Sequence, residues 1–237
     1  MPTRLLITAG PTHEPIDAVR YLGNRSSGRL GVALAERAAD LGWDVTLLLG
    51  PTHTTTDHPS VDLVRFRTTR DLELLLAERV PGCDCLVMAA AVADYRPVLP
   101  EGITQENVDD VKIRREGDDL VIRCEPTPDL LAGVSVYTKP EQLLVGFALE
   151  PRERMLASAT RKLERKGVDL VVANPLETMD AGRIEAVLIT PEGPGDSTLG
   201  AIDKCMFAPW LLERLEDHPK LSHANNAPLA HRGTAAR

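Results

Sequence analysis

Between positions 10 and 31 the chain reads Gly-Pro-Thr-His-Glu-Pro-Ile-Asp17 and then Arg20-Tyr-Leu-Gly-Asn-Arg-Ser-Ser-Gly-Arg-Leu-Gly31. Ser26, Ser27 and Gly28 stand directly before Leu30, Leu34, Ala38 and Leu41, which recur at helical spacing up to Gly42. The first N–H groups of a helix have no intrahelical partner and sit at the positive end of its dipole. Hydroxyls and a glycine at that point therefore suit a phosphate. A plainer reading of the same residues is a capped helix whose glycine allows close packing. Lys162 and Lys166 are four apart on one helix face, and Lys112 opens Lys-Ile-Arg-Arg. Taken alone, the first pair reads as surface charge and Lys112 as a solvated lysine.

Alternating strands and helices position these groups. Leu5 to Ala9 is a short apolar run ending at Gly10-Pro11, and Asp44 to Leu49 ends at Gly50-Pro51. Val61 to Phe66 and the apolar run from Cys85 to Val92 read as two more strands. Thr68 with Asp71 makes a capping box ahead of Leu72, Leu75 and Leu76. Further on, Leu143 to Ala148, Asp169 to Ala173 and Ile184 to Thr190 read as strands, with a helix over Arg152 to Lys166. A last helix lies within Asp203 to Glu216, with Pro209 expected to start or kink it. Lys112-Ile-Arg-Arg and Leu120-Val-Ile-Arg flank Glu116-Gly-Asp-Asp, the pattern of a projecting hairpin. The expected fold class is α/β: a doubly wound, mostly parallel Rossmann-like sheet with an inserted β-hairpin. One domain over residues 1–217 and a flexible tail over 218–237 are expected.

Bulk properties narrow the function. A formal net charge of −8 argues against a general nucleic-acid or anionic-membrane binder, while leaving room for a local basic pocket. Aromatics are only 3% of the chain, so the core falls to Leu, Val, Ile and Ala. Cys83, Cys85, Cys124 and Cys205 show no zinc spacing and read as reduced thiols. The sequence opens straight into a strand with no leader-like segment, and no apolar run approaches the ~20 residues of a membrane span. The expected setting is the cytoplasm. The nearest general alternative is an NAD(P)-dependent reductase. Against it, Gly-x-Gly-x-x-Gly is missing, the loop before Gly28 is too long, and Leu49-Gly50-Pro51 offers no acid for a ribose.

Ile7-Thr-Ala-Gly-Pro-Thr-His-Glu-Pro-Ile-Asp17 followed by Asn24-Arg-Ser-Ser-Gly-Arg-Leu-Gly31 resembles the signature of phosphopantothenate–cysteine ligases (phosphopantothenoylcysteine synthetases). These are usually the C-terminal half of a bifunctional coenzyme A biosynthesis protein. Further matches follow in order: Ala89-Ala-Ala-Val-Ala-Asp-Tyr-Arg-Pro97, Lys112-Ile-Arg-Arg, Thr127-Pro-Asp-Leu, Val145-Gly-Phe-Ala-Leu-Glu150 and Arg165-Lys-Gly-Val-Asp-Leu-Val-Val-Ala-Asn-Pro175. The resemblance covers roughly Arg4 to Glu216.

It implies activation of the 4′-phosphopantothenate carboxylate at the α-phosphate of CTP (ATP in some members), then displacement of the nucleotide by the amine of cysteine. Asn24 and Lys112 would be catalytic, Asn24 orienting the acyl group and Lys112 offsetting charge on the phosphates. Nucleotide contacts would come from Gly10, Ser27, Gly28, Met88, Ala89, Ala90, Asp94, Lys112, Thr127, Pro128, Asp129, Phe147, Lys162 and Lys166. Asn24, Arg25, Ser26 and Ala91 would meet the phosphopantothenate. No protein metal site is implied; Mg²⁺ would arrive with the triphosphate. A homodimer with the projecting arm reaching across the interface is also implied. So is a separate decarboxylase protein for the next step, since the decarboxylase half has no counterpart here. Departures from the family pattern are Pro126-Thr127 for Lys-Asn, His13 for Arg or Lys, Arg114 and Arg115 for lysines, and Asp180-Ala-Gly-Arg-Ile-Glu185 for an Asp/Asn-rich segment. The altered turn at Pro126 keeps a non-catalytic nucleotide-binding paralogue open as a further alternative.

Overall fold

A computed structural model describes residues 1–104, 107–114, 117, 120–179 and 181–225. In chain order, β1 (Arg4–Ala9) leads into a short antiparallel ribbon of β2 (His13–Pro15) and β3 (Tyr21–Gly23), then α1 (Arg29–Asp40). β4 (Asp44–Leu49), β5 (Val61–Arg65), α2 (Thr69–Arg79) and β6 (Cys85–Met88) follow. A second ribbon pairs β7 (Tyr95–Pro97) with β8 (Cys124–Pro126). After it come α3 (Leu130–Tyr137), β9 (Leu143–Glu150), α4 (Met155–Lys166) and β10 (Leu170–Pro175). The chain closes with β11 (Arg183–Ile184), β12 (Val187–Thr190), β13 (Gly193–Ser197), β14 (Ile202–Asp203), α5 (Lys204–Glu216) and α6 (Pro219–Asn225).

Eight strands form one sheet in the order β13-β12-β10-β9-β6-β1-β4-β5. The six strands from β10 to β5 are parallel, and β12 and β13 add an antiparallel edge. Both sheet faces are covered, which is why β6 can be apolar at every position. One core packs α1 and α5 over Leu5, Ile7, Val45, Leu47, Val87 and Val145. The other packs α2, α3 and α4 over Leu6, Leu48, Leu86, Leu144 and Val171. From the centrally placed β1 the chain runs outward through β4 and β5. It then returns to β6 on the other side of β1. The order therefore reverses between β1 and β6, and a crevice opens there at the carboxyl ends of the strands.

The doubly wound parallel sheet matches expectation, and the Thr68–Asp71 capping box forms with both of its hydrogen bonds. Other elements differ. Of the expected hairpin, residues 115, 116, 118 and 119 lie outside the described residues. Its described flanks, 112–114 and 120–123, carry no strand. Leu120, Val121 and Ile122 are exposed. The pairing expected there is made instead by β7 with β8. The strand expected over Ile184 to Thr190 is split into β11, paired with β14, and β12 in the main sheet. α5 begins at Lys204, so Pro209 sits inside it and does not start it. The first part of the expected frayed tail is helical: α6 buries Leu221, and Lys220 Nζ reaches Asp169 Oδ1 at 2.6 Å. Residues 226–237 lie outside the described residues.

Candidate active-site cleft

The loop after β6 makes the floor of the crevice. Beyond Met88 the chain leaves the sheet with a run of alanines, and Ala91 keeps one parallel bridge to Pro11. Thr12 holds this floor down: its N–H reaches Ala91 O at 3.3 Å and its Oγ1 accepts from Ala93 N at 2.9 Å. Ala9 is close-packed on its other side. A Cβ on Gly31 would stand 2.3 Å from Ala9 Cβ, so only glycine lets the start of α1 lie this near β1. Gly28 caps α1 in a left-handed conformation (φ 72°) without a side-chain hydrogen bond. The Ser27 carbonyl is taken by Thr52 and Thr54 hydroxyls at 2.8 and 2.7 Å. No acidic residue lies in the first turn of α1, so the positive end of this helix is offset by no side chain of its own.

The crevice is an open cleft of about 1010 Å³. Among the described residues, six basic side chains line it, Arg25, Arg29, Lys162, Arg165, Lys166 and Lys204, against two carboxylates, Asp94 and Asp129. In a chain of net charge −8 this is a local reversal of sign. Asn24 sits on the rim, with its Nδ2 donating to Val92 O at 2.8 Å. That contact turns the amide over the alanine floor and leaves Oδ1 and the second N–H for a ligand. Opposite, Lys162 donates to the Phe147 carbonyl. Burial, aided by the Arg165 guanidinium, pushes Lys162 below the ordinary lysine value, while Glu150 and Asp94 pull it back. Lys166 is buried and pairs with Asp129, whose carboxylate also caps α3 by accepting from Ala132 N at 3.2 Å. Thr127 ties the turn before α3 to the floor through Asp94 O (2.9 Å) and Ala93 O (2.5 Å). Phe147 is half-buried at the back, edge-on to Phe207 with ring centroids 6.5 Å apart.

Of the residues singled out from sequence, the structure brings Asn24, Arg25, Ser26, Ser27, Gly28, Met88, Ala89, Ala90, Ala91, Asp94, Thr127, Pro128, Asp129, Phe147, Lys162 and Lys166 to this cleft. Two stand elsewhere. Gly10 is behind the wall, with a positive φ of 77° and its Cα facing the Gly50 backbone; its work there is to let two loops pass. Lys112 is exposed on the segment after Asp110, outside the lining. Sequence reasoning missed Arg29, Arg165, Asn174, Thr178 and Lys204 as cleft residues. Arg165 could have been found, because it adjoins Lys166 on the same helix end. Lys204 had no signal, since the turn of chain that delivers it depends on the β11–β14 pairing.

Fold and cleft together define a doubly wound α/β protein with a basic cleft at its topological switch point. The chain belongs to the DNA/pantothenate metabolism flavoprotein C-terminal domain family, whose pattern it matches over residues 2–218. Over 179 residues it is 40% identical to a prokaryotic cysteine/cysteine sulfinic acid decarboxylase, covering 76% of this chain and 47% of that protein. It is 38% identical, also over 179 residues, to the coenzyme A biosynthesis bifunctional protein CoaBC of Vibrio cholerae, covering 76% of this chain and 43% of the relative. The chain thus spans less than half the length of these curated relatives. A crystal structure of the C-terminal domain of a CoaBC protein superposes with a TM-score of 0.70 at 29% identity, over 94% of this chain and 97% of that one. No helix among the described residues is long and apolar enough to cross a membrane.

Proposed function

We propose that this chain is a phosphopantothenate–cysteine ligase acting in coenzyme A biosynthesis, with CTP preferred over ATP as the activating nucleotide. The observation that carries the reading is the cleft itself: a neutral amide, Asn24, on one rim, a cluster of cations on the other, and a floor of alanines between them. Such a site suits two anions that must be held head to head, a triphosphate and a carboxylate. In the first step a carboxylate oxygen of 4′-phosphopantothenate attacks the α-phosphorus and pyrophosphate leaves, giving an acyl-cytidylate. In the second the cysteine amine attacks the acyl carbon, loses a proton, and expels the nucleoside monophosphate. Lys162, Arg165 and Lys166 would bind the phosphates, the alanine floor and Asp94 the nucleoside, and Asn24 the acyl oxygens. Mg²⁺ would enter as part of the triphosphate substrate, held by phosphate oxygens and water. Among the described residues there is no cluster of three or more His, Cys, Asp or Glu for it.

Lys112 would serve a neighbouring copy's cleft in a homodimer. Exposed Tyr21 and Tyr95 support that reading, since they lie on the two ribbons, which touch through β2 and β7, and Val19, Leu120, Val121 and Ile122 add further exposed apolar side chains. The decisive experiment is pyrophosphate release with phosphopantothenate and either CTP or ATP, before and after adding cysteine. Release with CTP, followed by amide formation on adding cysteine, is expected. A flat trace with both nucleotides, or a melting temperature raised by NADPH and not by CTP, would sink the assignment. Lys112→Ala should cut turnover by roughly 10²–10³. Sedimentation at the mass of one chain would contradict the shared site.

A further inference from the structure

Asp17 belongs to the amino-terminal motif but stands outside the cleft. Its side chain is fully buried and takes five N–H donors. Oδ1 accepts from the Val19 and Arg20 backbones at 2.9 and 2.8 Å. Oδ2 accepts from Arg20 Nε at 3.1 Å, from Arg20 Nη2, and from the Ile113 backbone at 3.1 Å. A local turn explains the first two. It does not explain a bond to a residue 96 positions away. Around that bond, Arg20 Nη2 donates to Ile113 O at 3.0 Å and Ala18 N to Val111 O at 2.8 Å. Lys112 lies between these two gripped residues, with its side chain exposed. In the other direction Arg20 runs straight into β3, whose last residue, Gly23, precedes Asn24. There is no slack in this stretch, because a Cβ on Gly23 would meet Thr12 O at 2.7 Å.

We propose that Asp17 is a positioning residue: its carboxylate grips Arg20 and the Ile113 amide together, and so fixes the spacing between the Lys112 segment and the Asn24 loop. The roles of Lys112 and Asn24 here rest on the ligase reading above. The Arg20 guanidinium, joined by the three backbone donors, holds Asp17 below the usual carboxylate range against the effect of its burial. The grip is therefore charge-assisted throughout the neutral range.

Two arms test this in the full chain. In the first, backbone hydrogen exchange is compared between wild type and Asp17→Asn. Exchange at Val111 to Ile113 should quicken about tenfold or more, with the sheet strands unchanged. This arm needs no substrate, so it judges the tether whether or not the ligase reading holds. The second arm is a double-mutant cycle with Lys112→Ala. Asp17→Asn should lower kcat roughly 30-fold with little change in KM, and add almost nothing in the Lys112→Ala background. Losses that multiply, or exchange that rises across the whole domain or not at all, would overturn the proposal in favour of a purely stabilising carboxylate. If Asp17→Asn does not fold, Asp17→Glu keeps the charge, displaces the carboxylate, and is expected to show the same local quickening and the same lack of additivity. A wild-type chain without ligase turnover counts against the ligase reading and leaves the exchange arm to judge the tether.

Discussion

Residues 12–17 and residues 24–28 are neighbours in sequence and similar in polarity, but the fold treats them in opposite ways. Thr12, Glu14 and Asp17 are buried and hydrogen-bonded to distant parts of the chain. Glu14 Oε1 accepts from Thr69 N and Oγ1 at 2.8 and 2.7 Å and so anchors the start of α2. Thr12 holds the cleft floor through Ala93 N, and Asp17 holds the Lys112 segment. By contrast Asn24 and Arg25 are exposed, Ser26 and Ser27 half-exposed, and all four line the cleft. A buried polar group must be satisfied inside the fold, so its hydrogen bonds set shape. A polar group left facing a cleft keeps capacity for a ligand. Within one motif, then, the first stretch is framework and the second faces the cleft.

The comparison can be broken from either side. The largest effect is expected at the cleft-facing stretch: Asn24→Asp sets a carboxylate beside a carboxylate substrate and should cut turnover by about 10²-fold or more, with the melting temperature unmoved. Full activity in that variant would show that this loop does not face the acyl group. At the framework the signature reverses. Glu14→Ala strands the Thr69 donors and should lower the unfolding free energy by roughly 1–3 kcal/mol in urea titration, while the folded fraction keeps most of its kcat. An unchanged midpoint would remove Glu14 from the framework.

A smaller effect separates the two cleft lysines. Lys166 already pairs with Asp129, whereas Lys162 donates to a neutral carbonyl and has the more transferable charge. Lys162→Met should raise the KM for the triphosphate about tenfold and exceed Lys166→Met in that respect. The pH dependence has a definite sign. Lys162 loses its proton in the free folded chain below its unfolded value of 10.5. Between those two points the unfolded chain holds more protons, so this group adds stability as pH rises. Triphosphate affinity should fall over the same rise, which calorimetric titration at increasing pH would show. Affinity that holds level would place the charge elsewhere.

Much of this architecture was legible from short-range pattern. β4 and the capping box of α2 form where apolar period and capping residues put them, and β1 and α1 do so within a residue or two at their ends. Those signals are local, so one stretch of chain contains them whole. α3 went unread because it is only eight residues long and has no strong apolar stripe; its Asp129 cap looked like part of a turn. The β2–β3 ribbon was hidden for a similar reason. Its three-residue strands are held by tertiary contacts, including His13 N donating to Arg67 O at 2.8 Å and Thr69 N donating to Glu14 Oε1 at 2.8 Å.

The amino-acid sequence by itself determined the alternation of strand and helix, hence a parallel sheet covered on both faces, and its resemblance to a known family named about half of the residues that line the cleft. Periodicity and capping act over a few residues, and a sheet whose order reverses must open at that reversal. Only the tertiary structure decided which polar residues face inward as framework, that Lys166 pairs with Asp129 while Lys162 donates to the Phe147 carbonyl, and that Lys112 stands outside the cleft of its own chain. Burial and ion pairing arise between segments tens of residues apart, and no local pattern records which of them will touch.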